Sequence, residues 1–451
     1  MTGIFGKYLL SAVAALVVGW GLAGPAPAKE LTHATLENGL KVILKEEHKA
    51  PVVSVQVWYR VGSRNEVGGK TGLSHLLEHM MFKGTDRYGK GEYSRTVAKY
   101  GGNENAFTSR DYTAYYMTWA PEHLPLSLDL EGDRMTGLLL DEAEFNTERE
   151  VVREERRLRI DDNPIYDTVE QLYATAFLAY PYRQPVIGWM SDLEGLTRDD
   201  ARAHYRRFYN PANATLVVVG DFDSDDLLER VKNTLGAIPA GEVPDSAVSR
   251  EPEQRGERRV TLSREARLPF LILGYHAPNW ESPDAYPLIV LSRILFEGKS
   301  SRIYQRLIYG DRIAVDAGGS YDPLTVGPEL FYFHATMAPG HTAREAETAI
   351  YEEVARLQAE APTEKELARA RNQVEASYLM AQDSVFYQAM KLGEAETVGA
   401  GVDYVDRFPE RIRAVTGEDV LRVAAKYLTP NTRTVAELLP KTGEKGAEDG
   451  S

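Results

Sequence analysis

The chain has 451 residues, 43% of them apolar and 26% charged, a composition that suits a folded globular protein with room for two ordinary cores. Its 52 basic against 67 acidic residues leave a formal charge of −15, which argues against binding a phosphate backbone and so against a nucleic-acid partner. No cysteine is present, so disulfides, thiolate metal sites and cysteine nucleophiles are excluded, and any bound metal must use His, Asp or Glu.

The chain begins with Lys7 ahead of an apolar run from Tyr8 to Leu22, then Ala26-Pro27-Ala28, the pattern of an export signal over residues 1–28. That run is about 15 residues long, short of the roughly 20 that cross a bilayer. The expected location is therefore periplasmic or secreted, with no stable membrane anchor after cleavage. Next, Asn38-Gly39 is a turn leading into a strand, followed by an alternating strand from Val52 to Tyr59. Apolar periodicity predicts helices at Gly72 to Phe82, Leu124 to Leu140 and Asn146 to Ile160, and strands at Tyr112 to Thr118 and Ala214 to Val219. This is an α+β pattern of antiparallel strands without regular βαβ alternation.

From Leu235 to Arg258 the chain carries Pro239, Pro244 and Pro252 among Gly, Ser and charged residues, with no periodicity, which reads as a linker. Landmarks of the first half then return. Phe82-Lys83-Gly84 is echoed by Phe296-Glu297-Gly298, and Asn210-Pro211-Ala212-Asn213-Ala214-Thr215 by Thr429-Pro430-Asn431-Thr432-Arg433-Thr434. The sequence thus predicts two homologous domains duplicated in one chain, at 29–238 and 259–440, joined by a linker at 239–258 and ending in a tail at 441–451. In the second copy Ile289, Ser292 and Arg293 stand where the first has His75, Glu78 and His79, so only the first can hold a metal there.

His75 and His79 stand at i and i+4, on one face of a helix and able to chelate one ion. Glu78 sits beside that face, placed to take a proton from water without itself ligating, and the spacing is the inverted zincin signature H-x-x-E-H. A third ligand must come from elsewhere. On the helix from Asn146, Glu148 and Glu155 lie within roughly 20° of each other, on a stripe with Val151, Val152 and Leu158 that reads as the inward face. Glu150 and Glu154 fall on the opposite side with Arg149, Arg153 and Arg157, where surface ion pairs account for them. Helix geometry selects Glu148 and Glu155 but does not choose between them.

These residues resemble the pitrilysin, insulinase and mitochondrial processing peptidase family of inverted zincins. The matching segments are Val61-Gly62-Ser63-Arg64, the His75 to His79 motif, Gly102-Asn103-Glu104-Asn105-Ala106-Phe107-Thr108 and Glu148 to Glu155. The resemblance implies a zinc metallo-endopeptidase acting on peptides or unfolded polypeptides. It makes His75, His79 and Glu155 the metal ligands, Glu78 the general base and Glu148 a supporting carboxylate. It also implies that Asn105, Ala106 and Phe107 pair with substrate as an added strand, a mode that reads backbone more than side chains. Family members are normally completed by an Arg and a Tyr from a metal-free half, and here those positions fall on Ile308 and Val315, which donate no hydrogen bond. Arg302, Arg306, Tyr309 and Tyr321 lie nearby in sequence but out of register. The expected partner is therefore a homologous non-metal subunit that supplies the pair. The competing expectation is a non-catalytic peptide-binding or scaffold subunit of the same family. His, His and Glu can also hold manganese or cobalt.

Overall fold

The structure, a computed structural model, describes residues 31–245 and 249–441. The export-signal reading and all but the first residue of the tail lie outside the described residues. No helix among the described residues is long and apolar enough to cross a membrane.

Two sheets organise the chain. The first contains β1 (Thr32–Thr35), β2 (Lys41–Glu46), β3 (Val53–Tyr59), β4 (Asn103–Thr108), β5 (Thr113–Trp119) and β6 (Ala214–Gly220), in the order β1-β2-β6-β3-β5-β4. The second contains β7 (Arg258–Arg264), β8 (Phe270–Ala277), β9 (Ala314–Ser320), β10 (Glu329–Met337) and β11 (Arg433–Pro440), in the order β7-β11-β8-β10-β9. The pairing is antiparallel except for β2 with β6 and β7 with β11. Apart from β1 the second sheet repeats the first strand for strand. The echoed Pro211 and Pro430 each open a one-turn helix that feeds the last strand of its sheet. The mixed α+β fold with a duplicated domain is the one the sequence predicts.

The helix expected from Gly72 to Phe82 spans Leu73–Met80, and the one expected to reach Leu140 stops at Thr136. The third begins early, at Glu142, where Asp141 accepts hydrogen bonds from the Ala143 and Glu144 amides and caps it. After Arg156 it widens into a π-helical turn at Arg157–Asp161.

The two halves exchange helices. β3 alternates apolar with polar residues, yet Ser54 and Gln56 are buried, as is Trp58. The cover comes from helix Val385–Thr397 of the second half: Gln56 Nε2 donates to Phe386 O at 3.2 Å, and Leu392 and Ala395 pack with Trp58, Val217 and Val219. Reciprocally, helix Pro164–Ala176 of the first half lies on the second sheet, with Leu172 and Ala176 against Phe270, Ile272, Leu330 and Leu438. Arg110 locks this seam. Its guanidinium is 3.3 Å from Glu329 and stacks 3.8 Å above the Tyr173 ring. An apolar face left bare by either half is thus buried only when the other half is present.

Candidate metal centre

Helix Leu73–Met80 is amphipathic in a way that fixes the site. Leu73, Leu76, Leu77 and Met80 enter the first core, which turns His75, Glu78 and His79 to the opposite side. Its start is held rigidly. Gly72 has φ +85, and a Cβ there would stand 2.5 Å from Ile187 O, so glycine is required. The buried Glu66 side chain accepts hydrogen bonds from the Gly72 and Ser74 amides at 2.8 and 2.6 Å, satisfying two free amides at the start of the helix.

Helix Glu142–Arg156 packs across it through Phe145 and Val152 and delivers both candidate carboxylates. Glu155 Oε2 is 3.8 Å from His75 Nε2 and 3.6 Å from His79 Nε2. A ligand atom from each of the three residues lies within 4.8 Å of the others. Tetrahedral zinc with bonds of about 2.1 Å would hold its ligand atoms roughly 3.4 Å apart, so a small contraction accommodates the ion. His75 has the protonation a ligand needs: burial, with His79 and Arg159 adding to it, pushes its pKa down to about 3, leaving a neutral imidazole. The residues present therefore fit a divalent metal.

Glu148 has both oxygens engaged by other groups. His79 Nδ1 meets Glu148 Oε2 at 3.3 Å, and Lys83 Nζ meets Oε1 at 2.5 Å, so residues at i and i+4 grip both oxygens. The hydrogen bond to Nδ1 sets the tautomer that leaves His79 Nε2 with its lone pair toward Glu155. Of the two carboxylates that helix geometry left open, Glu155 is the one grouped with both imidazoles. Lys83 escaped the sequence reading, although its position four residues after His79 was a usable signal.

Glu78 receives a hydrogen bond from Thr108 Oγ1 at 2.5 Å, and burial raises its pKa above the ordinary carboxylate range. Arg159, on the π turn, holds Glu155 Oε1 at 2.8 Å. As expected, Glu150 and Glu154 pair with Arg153 and Arg157. Two neighbours on the presumed inward stripe depart from expectation. Val152 is buried, but Val151 and Leu158 are 45% and 71% exposed and line the cleft. They are apolar because they wall a cavity, and sequence periodicity does not distinguish that from a core.

The cavity is about 1430 Å³, larger than a typical small-molecule pocket, and its lining includes His75, Glu78, His79, Glu155 and residues 105–108 of β4. β4 is the sheet's last strand and pairs only with β5 among the described strands, so its outer edge has no strand partner; the Ala106 amide donates to the Asn105 side chain at 2.9 Å. Asn105 is exposed, whereas Phe107 packs edge-on against Trp58 at 5.5 Å. Every residue lining the cavity among those described lies between positions 75 and 187. Arg302 is paired with Glu366, Arg306 with Asp311, and the Tyr321 hydroxyl donates to Pro278 O, so none is turned to this cleft.

Comparison with known proteins identifies the family. Residues 41–188 match the family model described as insulinase (peptidase family M16), and residues 195–374 the model described as peptidase M16 inactive domain. The zinc protease PqqE of Helicobacter pylori is 31% identical over 444 residues, covering 96% of this chain and 98% of that protein. A probable mitochondrial-processing peptidase subunit beta of Arabidopsis thaliana is 27% identical, covering 92% of this chain and 79% of that one. Among solved structures, a protease from Helicobacter pylori superposes with a TM-score of 0.88 at 32% identity, covering 92% of this chain and all of that one. On the strength of both the site and these relatives, the chain belongs to the insulinase family of peptidases, family M16.

Proposed function

We propose that the chain is a zinc metallo-endopeptidase that cleaves peptides or unfolded polypeptides. The observation that carries this reading is the convergence of His75, His79 and Glu155 beside Glu78, in a cleft flanked by a free strand edge. The metal, when bound, supplies Lewis-acid chemistry and brings the pKa of water to about 7. Glu78 takes the proton of the attacking water as its oxygen bonds to the peptide carbonyl carbon. It returns that proton to the leaving nitrogen as the carbon–nitrogen bond breaks. Burial raises the Glu78 pKa, which makes its carboxylate a readier proton acceptor. Lys83 and Glu148 keep His79 oriented. The backbone of Asn105, Ala106 and Phe107 aligns the substrate by adding it as a strand.

Two further parts belong to the proposal. The chain works with a homologous non-metal subunit, supported by a cavity lined wholly from the first half and by Ile308 and Val315 in place of hydrogen-bond donors. It acts outside the cytoplasm, supported by the signal-like segment over residues 1–28. The test is a chelator-controlled assay on an unfolded peptide, using the chain alone and with the homologous chain that co-purifies with it. Zinc-dependent cleavage that rises on adding the second chain is expected. Full cleavage by the chain alone removes the partner from the account, and zinc binding without cleavage in either case favours the non-catalytic peptide-binding reading.

A further inference from the structure

Thr108 closes β4, and its side chain shares a face with that of Ala106, because successive strand residues alternate. Ala106 packs against the core that holds helix Leu73–Met80, so this face looks toward Glu78. The Thr108 hydroxyl donates to Glu78 Oε2 at 2.5 Å, the length of a hydrogen bond to a charged oxygen. Its neighbour leaves that proton no better acceptor. Thr113 Oγ1, whose proton goes to Val61 O at 2.9 Å, could accept but lies 3.4 Å from Thr108 Oγ1 and is neutral, so it competes poorly with the carboxylate at 2.5 Å. The Thr108 proton is therefore committed to the carboxylate. A glutamate side chain has three rotatable torsions, and without such an anchor Glu78 would sample orientations turned away from the cleft.

We propose that Thr108 is a positioning residue: its hydroxyl fixes Glu78 by one oxygen, leaving the other to accept the proton of the attacking water. Because Thr108 belongs to the strand that pairs with substrate, one rigid element aligns both the base and the scissile peptide. The inference rests on the peptidase reading above.

The test compares Thr108→Val, which keeps the shape and removes the hydroxyl, with Thr108→Ser, which restores it, in the full chain assayed with its zinc and its co-purifying partner. Losing a hydrogen bond to a charged group should lower kcat about 10- to 100-fold in the valine variant. KM and zinc content should stay unchanged, because substrate pairs with β4 backbone and Thr108 touches no ligand. The serine variant should recover most of the rate. A second readout needs no activity. In zinc-free protein, isotope-edited infrared spectra, with the Glu78 band assigned by its loss in Glu78→Gln, should shift in the valine variant and not in the serine one. An unchanged kcat or an unshifted Glu78 band in Thr108→Val overturns the proposal, as does a loss that serine fails to recover. If the wild-type chain binds zinc and cleaves nothing, the peptidase reading fails and takes the positioning role with it, while the infrared comparison still decides whether the hydrogen bond exists.

Discussion

Gly393→Ala is the sharpest test of the helix exchange. Gly393 lies in helix Val385–Thr397, directly over the indole of Trp58, which is fully buried. A Cβ at 393 would stand 2.2 Å from Trp58 Nε1 and 2.3 Å from Cε2, closer than real Cβ contacts come. The ring has no room to retreat: Phe107 and Tyr112 pack edge-on at 5.5 and 5.0 Å, and Nε1 donates to Gln56 Oε1 at 3.1 Å. Overpacking a core costs about 1–3 kcal/mol and occasionally more. Alanine returns up to about 1 kcal/mol as the better helix former. With a rigid ring as the obstacle, the clash should outweigh that gain and leave a net loss of about 1–2 kcal/mol. Urea unfolding of the full chain measures it through the midpoint at constant slope. Trp58→Phe in the same background should recover part of the loss, giving a coupling energy of about 0.5 kcal/mol or more, as expected for residues in contact. A Gly393→Ala chain as stable as the wild type, or more stable, would refute the seating of a second-half helix on the first-half sheet.

Other consequences follow from the same contacts. Arg110→Met should destabilise the chain by about 3–5 kcal/mol, because it strands the buried Glu329 carboxylate, and Arg110→Met with Glu329→Gln should lose less; calorimetry or urea titration reads both. Glu148→Gln should weaken zinc binding about 10- to 100-fold, measured by competition with a chromogenic chelator, since His79 Nδ1 loses a charged acceptor. Burial pushes the pKa of His204 down to about 3, so below its unfolded pKa of about 6.5 the unfolded chain takes up a proton that the folded chain refuses. Its share of stability is present above pH 6.5 and is lost as the pH falls toward 3. Between pH 7 and pH 5 the wild type should therefore lose about 2 kcal/mol more than His204→Gln, by urea unfolding at the two pH values. Equal losses in the two chains would show that His204 titrates normally.

What the sequence made legible was local. His75, Glu78 and His79 fall within little more than one helical turn, so spacing alone brings them together. The face shared by Glu148 and Glu155 was legible for the same reason. Helix geometry did not divide their labour, which only the family resemblance suggested, because the contacts of Glu148 come from His79 of another helix and from Lys83 just beyond that helix. The alternation in β3 marks a strand but does not say what covers Ser54 and Gln56. Their cover, a helix 330 residues away, follows from tertiary packing that no local pattern encodes. Val151 and Leu158 misled for a related reason, since an apolar residue on a helix looks the same whether it meets a core or a binding cleft. Thr108 stood in a segment singled out for its backbone, and only the approach of Glu78 gives its hydroxyl a partner.

The central claim is that a metal held by His75, His79 and Glu155 works with Glu78 as the base. It is tested most directly by Glu78→Gln in protein purified under native conditions, with zinc per chain and peptide turnover measured on the same sample. One zinc should be retained per metal-site chain and hydrolysis lost, because the amide cannot take the proton of the attacking water. Unchanged turnover would remove Glu78 from the mechanism, and loss of the zinc would make it a ligand instead of a base.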